Sequence, residues 1–307
     1  MEKADIKVSV RCLVYNHAPY LRRCLEGFVM QRTSFKFEVV VHDDASTDGS
    51  DKIILEYAER FPDIINPIIE TENQYSKRDG SLRRIMNEAC SGKYFASCEG
   101  DDYWIDPFKL QKQYDFMESH PNVVLCGTNG FTVWDNGEKP VRYFNNIYSS
   151  RYVNPSDIIG NWLFPTPSLF YRKSLTENYP QWSRKIYSGD QTLALVALSK
   201  GDIYAFADCT CVYRQNNSNP NSMTNRAKKN KSSVLSFFSQ HILLYESFDE
   251  YTNRKFHETI APVVKRYKSN YNFFKIRDST NILLAGIIYP CVFFEMVRTK
   301  FHNLDLR

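Results

Sequence analysis

The first 120 residues alternate between apolar, β-branched runs and segments with helical periodicity, and this alternation constrains the fold more than any other feature. The apolar runs lie at 6–14, 37–41, 64–69 and 94–98, and each is followed by a segment with apolar residues at helical spacing. Strand and helix recur about every 25 to 35 residues, the pattern of right-handed βαβ units around a parallel sheet. The sequence therefore predicts an α/β fold.

Carboxylates follow two of the predicted strands, in loops 42–50 and 99–104. The acidic side chains in these loops are Asp43, Asp44, Asp48, Glu99, Asp101 and Asp102. Because the carboxyl ends of parallel strands meet at one sheet edge, where open α/β sheets bind ligands, the two loops are expected to lie together. Neighbouring carboxylates repel one another unless a cation offsets their charge. The 99–104 loop thus predicts a site for Mg²⁺ or Mn²⁺ that is shared with phosphate oxygens.

Glycine-rich phosphate loops are missing from the sequence, which contains neither the dinucleotide fingerprint nor a P-loop. A metal ion and a few cationic side chains would therefore have to neutralise a bound diphosphate. Basic residues between the third strand and the 99–104 loop are candidates, although a solvated surface explains them equally well. They are Lys77, Arg78, Arg83 and Arg84.

The pattern changes beyond residue 120. Strand-like segments follow at 123–127, 131–134 and 166–171, and residues 145–165 form a loop-rich stretch that suits an acceptor. A helix is predicted to begin at Ser188-Gly189-Asp190-Gln191 and to end at Lys200-Gly201. The local sequence leaves two interpretations of Asp190 open: a helix-capping acid or a functional carboxylate.

Four motifs, in order along the chain, resemble those of the family 2 inverting glycosyltransferases, which use the nucleotide-diphospho-sugar transferase (GT-A) fold. The resemblance covers about residues 6–215. Its motifs lie at 8–17, 43–50, 92–104, and 189–190 with 213–214. It implies a mixed, mostly parallel sheet flanked by helices in residues 1–224, with a nucleotide-sugar half (1–120) and an acceptor-binding, catalytic half (121–224). Residues 225–307 would form a C-terminal helical extension.

The resemblance also implies roles for individual residues. Asp190 matches the catalytic base, Asp102 the metal ligand and Asp101 the ribose contact. The other implied residues of the nucleotide-sugar site are Tyr15 and Asp44, which flank the base, with Asn16, Glu99 and Arg84. Arg214 and Asn216 are the implied contacts to the diphosphate, although relatives commonly place a histidine at the position of Asn216.

The activity implied by the resemblance is metal-dependent, inverting sugar transfer from a nucleotide sugar. A UDP-sugar is favoured because a carboxylate at the base edge suits the uracil N–H. The acceptor would be a glycan, or a polyprenyl-diphosphate-linked glycan, in O-antigen or capsule synthesis. Two alternatives stay open. The first is a nucleotidyltransferase of related fold, which would need a phosphate loop that is missing. The second is a non-catalytic scaffold that binds a nucleotide within a membrane glycan-assembly complex. Asn216 favours this scaffold, whereas the presence of Asp102 together with Asp190 opposes it.

Several features bear on location and partners. The chain enters its first strand without a signal peptide and its cysteines lie in apolar runs, so we expect a cytoplasmic protein. The apolar stretch 283–294 is too short for a membrane span. Because basic residues flank it within 275–300, it predicts either a peripheral helix on the inner membrane face or a helix packed on protein. A net charge of +4 is too weak to indicate nucleic acid. The oligomeric state, including a homo-oligomer, stays open.

Overall fold

The predicted alternation of strands and helices is present in the computed structural model, which describes residues 5–135, 137, 139–215, 230–276 and 288–292. The strands are β1 (Ile6–Val14), β2 (Lys36–Asp43), β3 (Ile65–Ile69), β4 (Tyr94–Glu99), β5 (Tyr103–Trp104), β6 (Val123–Trp134), β7 (Arg142–Tyr143), β8 (Arg151–Tyr152), β9 (Phe170–Arg172) and β10 (Asp202–Gln215). The helices are α1 (Ala18–Val29), α2 (Ser50–Arg60), α3 (Gln74–Lys77), α4 (Ser81–Ala89), α5 (Lys109–Ser119), α6 (Pro155–Ile158), α7 (Gly189–Lys200), α8 (Lys231–Tyr251) and α9 (His257–Ile276).

The strands form one mixed sheet in the order β3-β2-β1-β4-β9-β6-β10-β5, with β7 beside β6 and β8 beside β10. Strands β3, β2, β1 and β4 pair in parallel, as do β6 and β10. The short β9 runs antiparallel to both β4 and β6. The six main strands therefore all point the same way, and the predicted mixed α/β sheet is confirmed.

Two sequence predictions about the strands beyond residue 120 were wrong. The segments 123–127 and 131–134 are parts of the single strand β6. Two glycines of β6 are required by close packing: a Cβ at Gly127 would lie 2.3 Å from the Phe164 ring, and one at Gly130 would lie 2.8 Å from the Cys211 carbonyl oxygen. The segment 166–171 is a 3₁₀ turn followed by β9.

Helix α1 and the loop after β4 share one hydrophobic core. The apolar residues of α1 that were predicted to share a face, Leu21, Leu25 and Phe28, are fully buried in it. Trp104 packs edge-on against Phe28 with ring centroids 4.8 Å apart, and its indole N–H donates to the Pro167 carbonyl at 2.7 Å. The acidic loop is therefore anchored at its C-terminal end by a buried aromatic residue.

The chain divides into two compact units, Met1–Asn216 and Asn217–Arg307, and the sheet belongs to the first. The second unit contains α8 and α9, which pack through aromatic rings such as Tyr245 and Tyr267. The predicted domain boundary at residues 224 and 225 and most of the apolar stretch 283–294 lie outside the described residues. Of the helices described, none has both the length and the apolar character needed to cross a membrane.

Gly92 provides a test of the packing between β1 and the turn before β4. Its N–H donates to Ser9 Oγ at 2.8 Å, and an added Cβ would lie 2.6 Å from the Ser9 backbone nitrogen. We expect Gly92→Ala to lower the free energy of unfolding by about 1–3 kcal/mol in urea denaturation, because backbone must move. Gly189→Ala, where a Cβ meets no atom within 4 Å, is the control. Equal losses in both variants would contradict this packing.

Candidate functional site

A tight turn after β4 presents the predicted acidic residues. The Gly100 N–H donates to the Leu13 carbonyl at 2.9 Å, and the Asp102 N–H donates to the Glu99 carbonyl at 3.0 Å. A Cβ at Gly100 would lie 2.9 Å from His17 Nδ1, so the turn can approach the end of β1 only with glycine at this position. The turn places these carboxylates at the carboxyl edge of the parallel strands, as the sequence predicted.

Asp102 has one carboxylate oxygen bound to protein and one that is free. Its side chain is buried, and Oδ1 accepts the backbone N–H of Arg214 at 2.7 Å. Oδ2 is also buried but has no hydrogen-bond partner among the described residues. Burial, followed by the charge of Asp101, raises the pKa of Asp102 well above its usual range. A buried oxygen without a partner is costly, and this one fits a bound cation.

A divalent cation would need oxygens from elsewhere as well. Within the part of the chain that the structure describes, no three His, Cys, Asp or Glu side chains converge to form a complete metal site. In phosphate-binding enzymes Mg²⁺ or Mn²⁺ takes one or two protein carboxylates, and phosphate oxygens supply the rest of its ligands. The residues present therefore fit a metal that is bound together with a diphosphate.

The four predicted carboxylates lie close enough for their charges to interact. Burial of the carboxyl group, followed by the charges of Asp101 and Asp190, raises the pKa of Glu99 to about 8, although the residue as a whole is exposed. Burial, followed by the charges of Asp102, Glu99, Asp101 and Asp190, raises the pKa of Tyr213. The structure thus brings Glu99, Asp101, Asp102 and Asp190 together around Tyr213.

Asp190 lies in the first turn of α7, at the predicted helix start. Its Oδ1 accepts the Ser188 hydroxyl at 2.9 Å and the Gln191 backbone N–H at 2.8 Å, and its Oδ2 accepts the Thr166 hydroxyl at 3.4 Å. The side chain is half-buried. The carboxylate is therefore held in one orientation while part of its surface stays accessible, as a proton acceptor requires.

The loops after β1 and β2 are joined by hydrogen bonds, as expected for two strand ends at one edge. The Asn16 N–H donates to Ser46 Oγ at 2.8 Å, and the Thr47 N–H donates to Asn16 Oδ1 at 2.8 Å. Asn16 itself has a positive φ of 57°. Tyr15, which precedes it, is 47% exposed. The structure thus presents an exposed aromatic ring on a loop whose backbone is fixed.

Asp44 is buried, and both of its oxygens already have protein donors. The backbone N–H groups of Gln74 and Tyr75 donate to it at 2.6 and 3.1 Å, so Asp44 holds the start of α3. Arg84 lies in the first turn of α4 with an exposed side chain, and its charge interacts with that of Asp79. The nucleotide contacts of Asp44 and Arg84 stay predictions, and Asn216 lies outside the described residues.

Arg214 holds the turn after β4 that carries Asp101 and Asp102. Its Nε donates to the Asp101 carbonyl at 3.0 Å, and its Nη1 lies 3.4 Å from Asp135 Oδ1. The guanidinium also lies over the Tyr20 ring, 4.6 Å from the centroid, and only 13% of the side chain is exposed. These contacts hold the Asp101 backbone and stabilise the turn; the predicted diphosphate contact of Arg214 stays a prediction.

An aromatic surface adjoins the carboxylates on the side of the sheet that carries β6 and β10. Trp162, which is 37% exposed, meets Tyr213 edge-on at 5.3 Å between centroids. Asn145 Nδ2 donates to the Trp162 and Leu163 carbonyls at 2.9 and 2.6 Å, and Asn129 Nδ2 donates to the Asn145 carbonyl at 2.7 Å. This pair of asparagines fixes both ends of the loop 146–161.

Sequence reasoning missed several residues of the site. Ser188 and Thr166, which hold Asp190, and Tyr213, which lies among the carboxylates, were given no role. Ser188 carried a signal, because a serine two residues before a carboxylate at a helix start is a common local partner. Tyr213 lies in the motif at 213–214, which contributed to the family resemblance but gave this residue no role of its own. Thr166 carried no signal, since its contact with Asp190 forms only when distant parts of the chain pack.

Comparisons with known proteins give consistent results. The family model for glycosyl transferase family 2 matches residues 9–179, more than half of the chain. An uncharacterized protein of Mycobacterium tuberculosis is 32% identical over 208 residues, covering 68% of this chain and 58% of that protein. The chain therefore spans less than two thirds of this relative. The amylovoran biosynthesis glycosyltransferase AmsE of Erwinia amylovora is 24% identical over 189 residues, covering 59% of this chain and 65% of AmsE.

Two solved structures share the fold at low sequence identity. Staphylococcus aureus TarS 1–349 in complex with UDP-GlcNAc aligns with a TM-score of 0.57 and 18% identity, covering 87% of this chain and 80% of that one. The mannosyltransferase PcManGT of Pyrobaculum calidifontis, in complex with GDP-Man and Mn²⁺, aligns with a TM-score of 0.53 and 17% identity, covering 92% of this chain and 78% of that one. The predicted GT-A-like α/β fold is thereby confirmed.

The raised pKa of Glu99 predicts a pH dependence of stability. A carboxyl whose pKa is about 8 in the folded state and near 4.5 when unfolded binds more protons when folded, so its contribution to stability is lost as the pH rises through this window. We expect Glu99→Gln, which stays neutral, to flatten the decline in urea-unfolding free energy between pH 5 and 8. Glu59→Gln on α2 is the control, and an unchanged slope in Glu99→Gln would contradict the raised pKa.

Proposed function

The chain belongs to glycosyltransferase family 2, and from this premise we propose that it transfers a sugar from a nucleotide sugar to a glycan hydroxyl with inversion at the anomeric carbon. One observation carries the proposal. A buried carboxylate with a free oxygen, Asp102, and a half-buried, oriented carboxylate, Asp190, both lie close enough to Tyr213 for their charges to act on it. The first suits a metal on a leaving diphosphate, and the second suits a base for the incoming hydroxyl.

The metal part of the proposal rests on Asp102. Its free oxygen would hold Mg²⁺ or Mn²⁺, with Glu99 nearby, and the donor diphosphate would complete the coordination. When bound, the cation offsets the negative charge that develops on the departing nucleoside diphosphate. The Mn²⁺ and GDP-Man bound by the structurally similar mannosyltransferase PcManGT support this assignment.

Asp190 would act as the base. As the acceptor oxygen bonds to the anomeric carbon, its proton passes to a carboxylate oxygen of Asp190, and the bond from the anomeric carbon to the phosphate oxygen breaks on the opposite face. Ser188 and the Gln191 N–H both donate to Oδ1, which leaves Oδ2, with its one weak bond from Thr166, to take the proton.

The nucleotide would lie over residues 1–120, which we propose as the donor half. Tyr15 would stack on the base, and a remaining lone pair of Asp44 would accept a base N–H, a pairing that suits the uracil of a UDP-sugar. Asn16 would hold the loop under the base, and Asp101 would accept a ribose hydroxyl. Arg84, Arg214 and Asn216 are the proposed contacts to the diphosphate.

The acceptor would lie over residues 121–224, where Trp162 and Tyr213 line the side of the cleft next to Asp190. The name of AmsE, which refers to amylovoran biosynthesis, supports an acceptor in bacterial surface-polysaccharide synthesis, such as an O-antigen or capsule glycan on a polyprenyl carrier. Residues 225–307 would bring the enzyme to the cytoplasmic face of the membrane through 275–300, where such carriers are found.

The metal assignment predicts that donor binding depends on Asp102. We expect UDP with Mn²⁺ to raise the thermal unfolding temperature, because a ligand at about 100 times its dissociation constant adds about 2.7 kcal/mol. The same measurement with GDP, dTDP and CDP identifies the nucleobase that the protein prefers. Asp102→Asn should abolish the Mn²⁺-dependent part of the shift, while the exposed Asp63→Asn should keep it. A shift that is independent of Mn²⁺ in both proteins would argue against the metal.

The base assignment predicts a loss of turnover without a loss of donor binding. Asp190→Asn should bind UDP and Mn²⁺ as the parent does, yet transfer or hydrolyse the donor sugar at least about 100-fold more slowly, because the amide cannot take the proton. Single-turnover release of UDP measures this rate. Equal rates in both proteins would remove Asp190 as the base, and UDP binding without any turnover in the parent would favour a nucleotide-binding scaffold.

A further inference from the structure

Two arginines converge on the sheet face that leads to the cleft. Arg11 lies on β1, where its Nη1 donates to the Tyr171 hydroxyl at 3.2 Å and its guanidinium lies 5.1 Å from the Phe95 ring centroid. Arg83 lies on α4, where its Nη1 donates to Ser183 Oγ at 3.2 Å. The two side chains are far apart in sequence but close enough for their charges to interact.

Neither arginine has an acidic partner in the part of the chain that the structure describes. Among the described residues, no carboxylate oxygen lies within 4.0 Å of Arg11 or Arg83, and their contacts are hydroxyl groups and aromatic rings. The guanidinium of Arg83 lies 4.1 Å from the Tyr179 ring centroid. Burial, together with the charges of Arg11 and Arg184, lowers the pKa of Arg83. Cations that are partly buried together repel one another, and a bound anion would relieve this cost.

The position of these arginines connects them with the reaction centre. Arg11 pairs in register with Ser97 on β4, and the next residue of β4 that points the same way is Glu99. Tyr179, whose ring contacts Arg83, is close enough to Asp190 for the negative charge of Asp190 to contribute to its raised pKa. In the described part of the chain the Tyr179 hydroxyl has no hydrogen-bond partner, so it is available to a ligand.

We propose that Arg11, Arg83 and Tyr179 form a subsite for an anionic group, a carboxylate or a phosphate, on a sugar substrate held beside Asp190. The inference rests on the proposed function, because the sugar enters the cleft as donor or acceptor of the transfer. Guanidinium groups bind both anions through paired N–H donors, and the tyrosine adds a third donor. A neutral hexose would leave the charges of both arginines uncompensated, so the subsite favours an anionic sugar over a neutral one.

The anion has two sources, which separate binding arms can distinguish. In the donor arm, titration calorimetry with Mn²⁺ compares UDP-glucuronic acid with UDP-glucose. In the acceptor arm, glucuronate and glucose 6-phosphate are compared with glucose, with and without UDP and Mn²⁺. We expect at least about tenfold tighter binding of the anionic probe in one arm, the size of one charge-assisted hydrogen bond to a guanidinium. The arm that shows the preference identifies the source.

Variants connect the preference with the subsite. Arg83→Gln and Arg11→Gln should each remove the preference for the anionic probe over the neutral probe. Arg32→Gln, which removes one charge from an exposed position between α1 and β2, should keep the preference. Tyr179→Phe deletes one donor without changing the charge and should weaken binding of the anionic probe alone. Tyr179→Phe therefore tests the subsite even if an arginine variant fails to fold.

Two results would overturn the subsite. One is a parent protein that binds charged and neutral probes equally in both arms, and the other is an anion preference that survives in Arg83→Gln. Failure of the proposed function has a different signature, since UDP with Mn²⁺ would then not bind, or would bind without any turnover in the parent protein. In that case the acceptor arm without nucleotide still measures whether the two arginines favour anionic sugars, because it needs no donor.

Discussion

The hydrogen bond from the Arg214 backbone N–H to Asp102 Oδ1 links the two parts of the sheet from which the site is built. Asp102 belongs to the turn after β4, while Arg214 lies near the end of β10, on the other side of β9 and β6. The same arginine holds the Asp101 carbonyl with its side chain. Because Oδ1 is taken by the backbone, the opposite oxygen has a fixed direction, and the proposed metal position follows from that direction.

The electrostatics of the cleft favour a bound ligand. Four carboxylates surround Tyr213, and burial with mutual repulsion raises the pKa of both Glu99 and Asp102. Arg11 and Arg83 lie near one another, and within the described part of the chain neither has an acidic partner. Charges of each sign are thus gathered separately, and the repulsion within each group is unfavourable. A ligand that carries a cation, a diphosphate and an anionic sugar would neutralise both groups at once.

Local sequence patterns predicted the parts of this arrangement that are local in the structure. Strand ends, helix starts and acidic loops follow from periodicity and turn chemistry, so β1 to β4, α7 and the positions of Asp102 and Asp190 could be predicted. The continuity of β6 could not, because Gly127 is explained only by the Phe164 ring packed over it. The burial of Lys109, which lies over the Trp104 ring at 4.4 Å, was equally invisible in an isolated helix pattern.

The pair of asparagines at positions 129 and 145 closes the loop 146–161 at its base, where Asn145 also holds the Leu163 carbonyl. The residues that orient Asp102 and Asp190 all lie outside this loop. Insertions or substitutions between the clamped ends would therefore alter the surface offered to an acceptor without moving the carboxylates. Under the proposed function, acceptor preference would diverge within a single surface loop while the rest of the site keeps its geometry, and exchanging that loop would be a route to new linkages.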